Sequence, residues 1–312
     1  MGYVRDMTNI NDRGVDRDAV RARLGRVGAW LGPLGRLSAA RERDVAQEIE
    51  ALGYPALWIT ESNKEIFAHS GVVLGATERI TIASGIANVW AREPETLASG
   101  ADVLNDAYDG RFVLGIGIGH ANMVARYDKP LATMRGYLDR MLDHAGGRPT
   151  PSTPVPWLIA ALRPKMLELA ATKAQGSHPY FVPVEHTVDA RAALGPDALL
   201  APELAVVLDT DPTTARATAR RYMATYLGLA NYTNNLRTLG YTDDDLAGGG
   251  SDRLVDAVIA WGDVDAIKRR VDEHLDAGAD HVCVQPLDYS DPADGRYVPL
   301  EHLTELAPAL LG

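Results

Sequence analysis

Phe112-Val-Leu-Gly115-Ile-Gly117-Ile118 carries no polar side chain and stops at Gly119-His120. A continuous apolar, partly β-branched run of this length reads as a strand buried on both faces, as a parallel sheet requires. Seven further runs resemble it: Val27–Leu31, Ala56–Thr60, Ile80–Ile86, Pro156–Ala161, Pro179–Val182, Leu204–Leu208 and His281–Gln285. Helical stretches lie between them, among them Ser38–Leu52, Glu93–Ala107, Pro130–Asp143, Pro164–Lys173, Asp211–Leu227 and Val264–Ala277. Ser38 reads as an N-cap, Gly53 as a stop, and Pro164 fits the first helical position, where its missing N–H costs nothing. An open doubly wound sheet has the same periodicity. The count of eight strand–helix units and the length of 312 residues favour a (β/α)8 TIM barrel with insertions. The predicted organisation is an N-terminal extension over 1–25, either a mobile arm or a helix on a partner subunit, followed by a single barrel domain over 26–312. The seventh unit is overlong, and a helical insertion is expected around 229–262, with Gly248–Gly250 in a surface loop.

Lys and Arg number 31 against 42 Asp and Glu, a formal charge of -11. An acidic chain without a basic run points away from nucleic acid and anionic membranes and toward a small-molecule partner. Cys283 is the single cysteine, so no intramolecular disulfide forms and no Cys-rich metal site exists; no metal is expected. No run approaches the roughly 18 apolar residues of a membrane span. Met1–Leu24 has no apolar h-region, so a cytoplasmic protein is expected.

In a (β/α)8 barrel the site lies at the C-terminal strand ends. Those positions offer Trp30, Glu61, Ser84, Gly85, Ile86, Asn88, Gly117, Gly119, His120, Leu162 and Arg163, with Gly176, Ser177 and His178 near the sixth unit. Aromatic, glycine and polar residues together suit a flat organic cofactor. Gly115-x-Gly117-x-Gly119-His120 fails as a dinucleotide fingerprint, because the last glycine of G-x-G-x-x-G falls at His120. Two readings remain: the glycines admit a bulky ring, or they allow tight strand packing. His120 is a candidate acid/base, or a structural histidine. Glu61 is a candidate acid/base, an orienter of His120, or a helix cap. Arg163 and Lys165 at a helix start read as an anion site. Cys283 reads as core. His69, His144, His274 and His302 fall in helical stretches and are expected to face solvent. The pocket's outer wall is expected from Ala121–Lys129 and Leu229–Asp252.

Several stretches carry a family resemblance: Gly28-Ala-Trp30-Leu-Gly32, Leu57-Trp-Ile-Thr-Glu61, Ala76-Thr-Glu-Arg-Ile80, Ser84-Gly-Ile-Ala-Asn88-Val-Trp90-Ala-Arg92, Gly110–His120, Tyr127-Asp-Lys-Pro-Leu131, Arg163-Pro-Lys-Met166-Leu-Glu-Leu-Ala170 and Pro183-Val-Glu-His-Thr187. By their order and spacing the chain resembles the luciferase-like flavin and deazaflavin oxidoreductases from about Arg26 to Gln285, most nearly an actinobacterial subgroup assigned to coenzyme F420. The resemblance implies a homodimeric barrel with a tricyclic ring in its mouth, and a cis peptide at Gly85–Ile86 behind that ring. It implies a cofactor-phosphate turn at Leu162 and Arg163, with Gly176–His178 near the phosphate. It makes His120 the first candidate acid/base, with Tyr127 and Glu61 behind it. The sugar-phosphate dehydrogenases of the superfamily carry Asp-His where this chain has Glu61-Ser62, and an acid where it has His120, so their substrate is not implied. The expectation is an F420-dependent oxidoreductase acting on a small organic substrate. The alternatives are an FMN-dependent monooxygenase and a non-catalytic cofactor-binding protein.

Overall fold

The computed structural model describes residues 14–120, 127–143, 151–289 and 297–312. Its strands are β1 (Val27–Trp30), β2 (Ala56–Ile59), β3 (Thr81–Ser84), β4 (Ala87–Asn88), β5 (Phe112–Gly117), β6 (Trp157–Ile159), β7 (Gly176–Ser177), β8 (Leu199–Leu200), β9 (Glu203–Leu208), β10 (Ala260–Gly262) and β11 (Val282–Pro286). They pair in parallel in the order β10-β9-β11-β1-β2-β3-β5-β6-β7-β8, with β4 added to β5. β8 and β9 form one stave interrupted at Ala201-Pro202, and that stave closes the ring. On one side the Ala201 and Glu203 N–H groups donate to the Ser177 and Pro179 carbonyls, both at 2.9 Å. On the other the Asp280 and Cys283 N–H groups donate to Leu200 (2.8 Å) and Pro202 (3.0 Å). The result is the (β/α)8 barrel that the eight runs predict.

Four stretches differ from the sequence reading. Pro179–Val182 is not a strand; the sixth stave is Gly176–Ser177 just before it. Pro179 has no N–H for a ladder and Phe181 sits at φ 59, so the chain leaves the sheet there. The run Ile80–Ile86 divides into β3 and β4 at a cis Gly85–Ile86 peptide, the bond the resemblance implies. β8 and β10 are only two and three residues long and leave no periodic signature.

Side chains of the seventh stave alternate, so Leu199, Ala201, Glu203, Ala205 and Val207 share the inward face. Trp58, Ala83, Val113, Leu158 and Cys283 fill the interior with Leu199 and Ala201. Burial pushes the Cys283 thiol well up, which fits a core residue rather than a nucleophile. The helix Arg17–Leu24 belongs to the N-terminal extension and packs on its own barrel. Asp16 caps it, Val20 and Leu24 join the interior cluster, and Arg21 Nε donates to Asp280 Oδ1 at 2.9 Å. Residues 1–13 of the extension lie outside the described residues.

The expected insertion contains the helices Ala230–Thr238, Asp243–Leu246 and Asp252–Val258, followed by β10. With the helix Pro212–Leu227 they make a second apolar cluster that takes in Ala205 and Val207 from β9. Those two residues face inward, so the insertion roofs the barrel mouth beside the seventh stave. Among the described residues no helix is long and apolar enough to cross a membrane.

Candidate active site

The glycines of β5 are explained by neighbours close at hand. A Cβ on Gly115 would lie 1.9 Å from the Ser84 carbonyl oxygen. The Ser84 hydroxyl donates to the Gly115 carbonyl and accepts from the Gly115 N–H, both at 2.9 Å. Its bonds therefore stitch β3 to β5. A Cβ on Gly117 would meet Ile86 Cδ1 at 2.5 Å, so this bare position seats the side chain that follows the cis bond. Gly119 holds φ 65 and turns the chain at the rim.

Trp30 and His178 meet at Gly85. A Cβ there would lie 2.8 Å from Trp30 Nε1 and 3.1 Å from His178 Nε2, and both nitrogens are buried without a hydrogen-bond partner. His178 stacks on Trp58 with ring centroids 4.1 Å apart, and its Nδ1 lies 2.7 Å from the Ala201 carbonyl. A nitrogen facing a carbonyl must carry the proton, which leaves Nε2 as a bare acceptor. Burial lowers the His178 pKa to about 4, so the ring is neutral at pH 7. One unused donor and one unused acceptor thus flank a bulge with no side chain. His178 thereby belongs to the floor beside Trp30. Gly176 and Ser177 form β7, where the Ser177 hydroxyl donates to Ile159 (3.0 Å). Gly176 and Ser177, which the resemblance puts near a phosphate together with His178, pair with β6 and β8 in the sheet.

Glu61 holds the loop that follows the bulge. Its carboxylate accepts from the Asn88 N–H at 2.6 Å and pairs with both terminal nitrogens of Arg92. Asn88 Oδ1 accepts from the Trp90 N–H (3.0 Å), and Trp90 Nε1 donates to the Ile118 carbonyl (2.8 Å). Tyr127 stands 6.5 Å from Trp90 between ring centroids. Burial raises its hydroxyl pKa, and the charge of Arg163 opposes that shift. Residues 121–126 of the expected pocket wall lie outside the described residues.

Arg163 is the N-cap of the helix Pro164–Lys173 and has no side-chain cap bond. The turn before it is pinned by His186, whose Nε2 lies 2.7 Å from the Leu162 carbonyl and therefore donates. Burial lowers the His186 pKa, keeping that ring neutral.

His120 stands at the rim with its ring centroid 5.1 Å from Tyr232 of the insertion. Burial lowers its pKa, so at neutral pH it is a proton acceptor rather than a donor. Tyr232 leads to an aromatic cluster of Tyr180, Phe181, Tyr222 and Tyr226, and Tyr180 reaches Trp30 at 5.3 Å. Beneath it lies Glu203, fully buried, its pKa raised to about 8 by desolvation. Sequence reading passed over this group. The available signals were an acidic residue leading an apolar strand, and Tyr222 and Tyr226 four apart on one helix face. It also placed His69 and His274 in solvent. Both are buried: His69 Nε2 is 2.5 Å from Glu42 Oε1, and His274 Nδ1 is 2.8 Å from Thr187 Oγ1. His302 is half-buried, and His144 lies outside the described residues.

Known proteins resemble this chain in sequence and in fold. The 5,10-methylenetetrahydromethanopterin reductase of Methanolobus tindarius is 29% identical over 161 residues, covering 43% of this chain and 49% of that protein. The enzyme of the same name from Archaeoglobus fulgidus is 28% identical over 173 residues, covering 46% and 52%. The chain therefore aligns with about half the length of these relatives. Among solved structures, an F420-dependent secondary alcohol dehydrogenase holding an F420-acetone adduct superposes at TM-score 0.69 with 14% identity, over 91% of this chain and 98% of that one. The coenzyme F420 dependent tetrahydromethanopterin reductase from Methanopyrus kandleri gives 0.64 and 17%, over 91% and 99%. The FMN complex of the oxygenating constituent of 3,6-diketocamphane monooxygenase from Pseudomonas putida gives 0.62 and 17%, over 91% and 98%. At such identities the structures speak for the fold. The sequence profile of the luciferase-like monooxygenases matches residues 23–281, nearly the whole barrel with its cis bulge and glycine-lined fourth stave. This chain belongs to the luciferase-like monooxygenase family and is an enzyme of it.

Proposed function

We propose that the protein is an F420-dependent oxidoreductase that moves hydride between the deazaflavin and a small organic substrate. The observation that carries this reading is the pair of unpartnered ring nitrogens at Gly85. A deazaflavin and a flavin both present an imide edge of carbonyls and N–H, and the Trp30 donor and His178 acceptor suit that edge. A buried polar atom without a partner costs about 1–3 kcal/mol, so a ligand that satisfies both is strongly favoured. Trp30 and Ile86 would hold the ring; the Leu162–Arg163 turn and its helix N-terminus would hold the phosphate. When bound, the deazaflavin supplies the hydride chemistry. Glu61 fixes Asn88 and Arg92, and with them the loop beside the bulge, so we assign it a positioning role. His120, neutral at the rim, takes the proton that a substrate hydroxyl releases during oxidation. Relatives named as methanopterin reductases, and F420-bearing folds, favour the deazaflavin; the FMN-bound neighbour supports a flavin monooxygenase as the second reading.

Titrating the protein with F420 and with FMN while following tryptophan emission separates the two. Trp30 lines the proposed ring site, so the bound ring should quench it, and tighter binding of F420 is expected. Tighter FMN binding accompanied by oxygen uptake would move the assignment to monooxygenase, and binding of neither would remove the cofactor site. His120→Ala should lower turnover about a hundredfold while changing cofactor affinity less than threefold. Equal turnover in that variant would take His120 out of the mechanism.

A further inference from the structure

Glu203 is a carboxyl group in the inward face of the barrel, with no cation beside it among the described residues. The groups facing it are the hydroxyls of Tyr180, Tyr222, Tyr226 and Tyr232, the thiol of Cys283 and the N–H of Phe181. Its Oε2 accepts from the Phe181 N–H at 3.2 Å, and its Oε1 is 3.5 Å from the Tyr222 oxygen. Each phenol has one proton, and counting them orders the network. Tyr180 donates to Gln285 Oε1 at 2.8 Å, so it must accept from Tyr222 (2.8 Å) and from Tyr226 (2.9 Å). The proton of Tyr222 is thereby committed to Tyr180. Any proton on the Tyr222–Glu203 contact is then the carboxyl's own. Glu203 and Tyr222 are buried, whereas Tyr180, Tyr226 and Gln285 are half-buried. The chain of hydroxyls thus runs outward, ending where Tyr180 touches Trp30.

We infer that Glu203 is a stored proton for this site, and that Tyr222 and Tyr180 carry it to the barrel mouth. Glu203 gives its proton to the Tyr222 oxygen, Tyr222 passes its own to Tyr180, and Tyr180 turns its hydroxyl from Gln285 toward the acceptor in the mouth. One proton leaves a carboxyl group, one arrives at the acceptor, and a carboxylate remains until solvent reprotonates it. No electrons move. The role complements His120, which burial keeps unprotonated and which therefore accepts a proton but has none to give at neutral pH. This inference rests on the oxidoreductase reading for its purpose, and on the protein alone for its chemistry.

Infrared difference spectra of the cofactor-free protein, taken across a pH titration, test it. A protonated-carboxyl stretch should be present at pH 6.5, vanish as pH passes about 8, and be absent in Glu203→Gln. Tyr222→Phe removes the carboxyl's hydrogen-bond partner, so the same band should persist at higher frequency. With reduced F420 and a carbonyl substrate, both variants should lose at least tenfold in turnover while KM for the cofactor holds. The wild-type alkaline limb near pH 8 should disappear in Glu203→Gln. A missing band, or one unchanged in Glu203→Gln, overturns the stored proton; full turnover in both variants overturns the relay. If the wild type binds no deazaflavin, the oxidoreductase reading falls, and the band and its shift in Tyr222→Phe still decide the Glu203–Tyr222 pair.

Discussion

Gly115→Ala should lose about 3 kcal/mol of stability or more, well beyond Gly117→Ala at about 1 kcal/mol. The two glycines stand two residues apart on one strand and look equivalent in sequence. The added methyl of the first would sit 1.9 Å from a backbone oxygen, that of Ser84. That oxygen cannot retreat cheaply. β3 is locked to β5 through Ile82–Phe112 and Ala83–Val113, and the Ser84 hydroxyl makes two more bonds to Gly115 itself. Relief would require parting two central staves and leaving buried backbone groups unpaired. The methyl of the second would meet Ile86 Cδ1 and Cγ1 at 2.5 Å, atoms of a side chain that can change rotamer. Denaturant midpoints at constant m measure both changes. A Gly115→Ala variant within 1 kcal/mol of wild type would contradict the packing role given to Gly115. The contrast also separates the two meanings of the glycine-rich rim. Gly115 serves strand packing, and Gly117 serves the seat of Ile86 under the proposed ring.

How much of this was legible in advance depends on the length of each signal. Runs such as Phe112–Gly117 and Glu203–Leu208 are buried on both faces, so their apolar character shows directly in sequence. Gly176–Ser177 and Leu199–Leu200 each pair through two residues, and their place is set by neighbouring staves rather than by their own composition. The rim residues after each strand follow from the barrel rule alone, and Trp30, Gly85, Ile86 and His120 lie where that rule puts them. What those residues touch does not follow. His178 stands immediately after a strand of two residues, so sequence offers no face on which to place its ring. Glu203 was hidden for the opposite reason. A carboxylate at the head of an apolar run normally marks the strand's exposed edge. Only the break at Ala201-Pro202 shows that the stave began four residues earlier and that Glu203 lies deep within it.

Stability should peak near pH 6.5 and fall on both sides, for two unrelated reasons. On the acid side the buried histidines act. His178 and His281 are pushed down to about 4 and His274 to about 3, all chiefly by desolvation. The unfolded chain takes up these protons below its ordinary value of about 6.5 while the folded chain refuses them. The stability they contribute is present above pH 6.5 and is lost as pH falls toward 4. Three protons correspond to about 4 kcal/mol per pH unit, and to a total on the order of 10 kcal/mol. That equals the whole stability of many domains, so unfolding between pH 4 and 6 is expected. On the alkaline side Glu203 acts with the opposite sign. Its folded value of about 8 lies above the unfolded 4.5, so the folded state holds the proton more tightly. Its contribution is complete below pH 4.5 and drains away as pH rises to 8, by about 5 kcal/mol. Between 4.5 and 6.5 three histidines outweigh one carboxyl and stability climbs with pH; above 6.5 the carboxyl alone remains and stability declines. Glu203→Gln keeps the shape without the titration. Its denaturant midpoint should climb more steeply with pH than that of wild type between pH 4.5 and 6.5, where no carboxyl offsets the histidines, and stay level from pH 6.5 to 8. A wild-type curve that is already level there, or a variant that declines in parallel, would mean that Glu203 enters the folded state as an ordinary carboxylate.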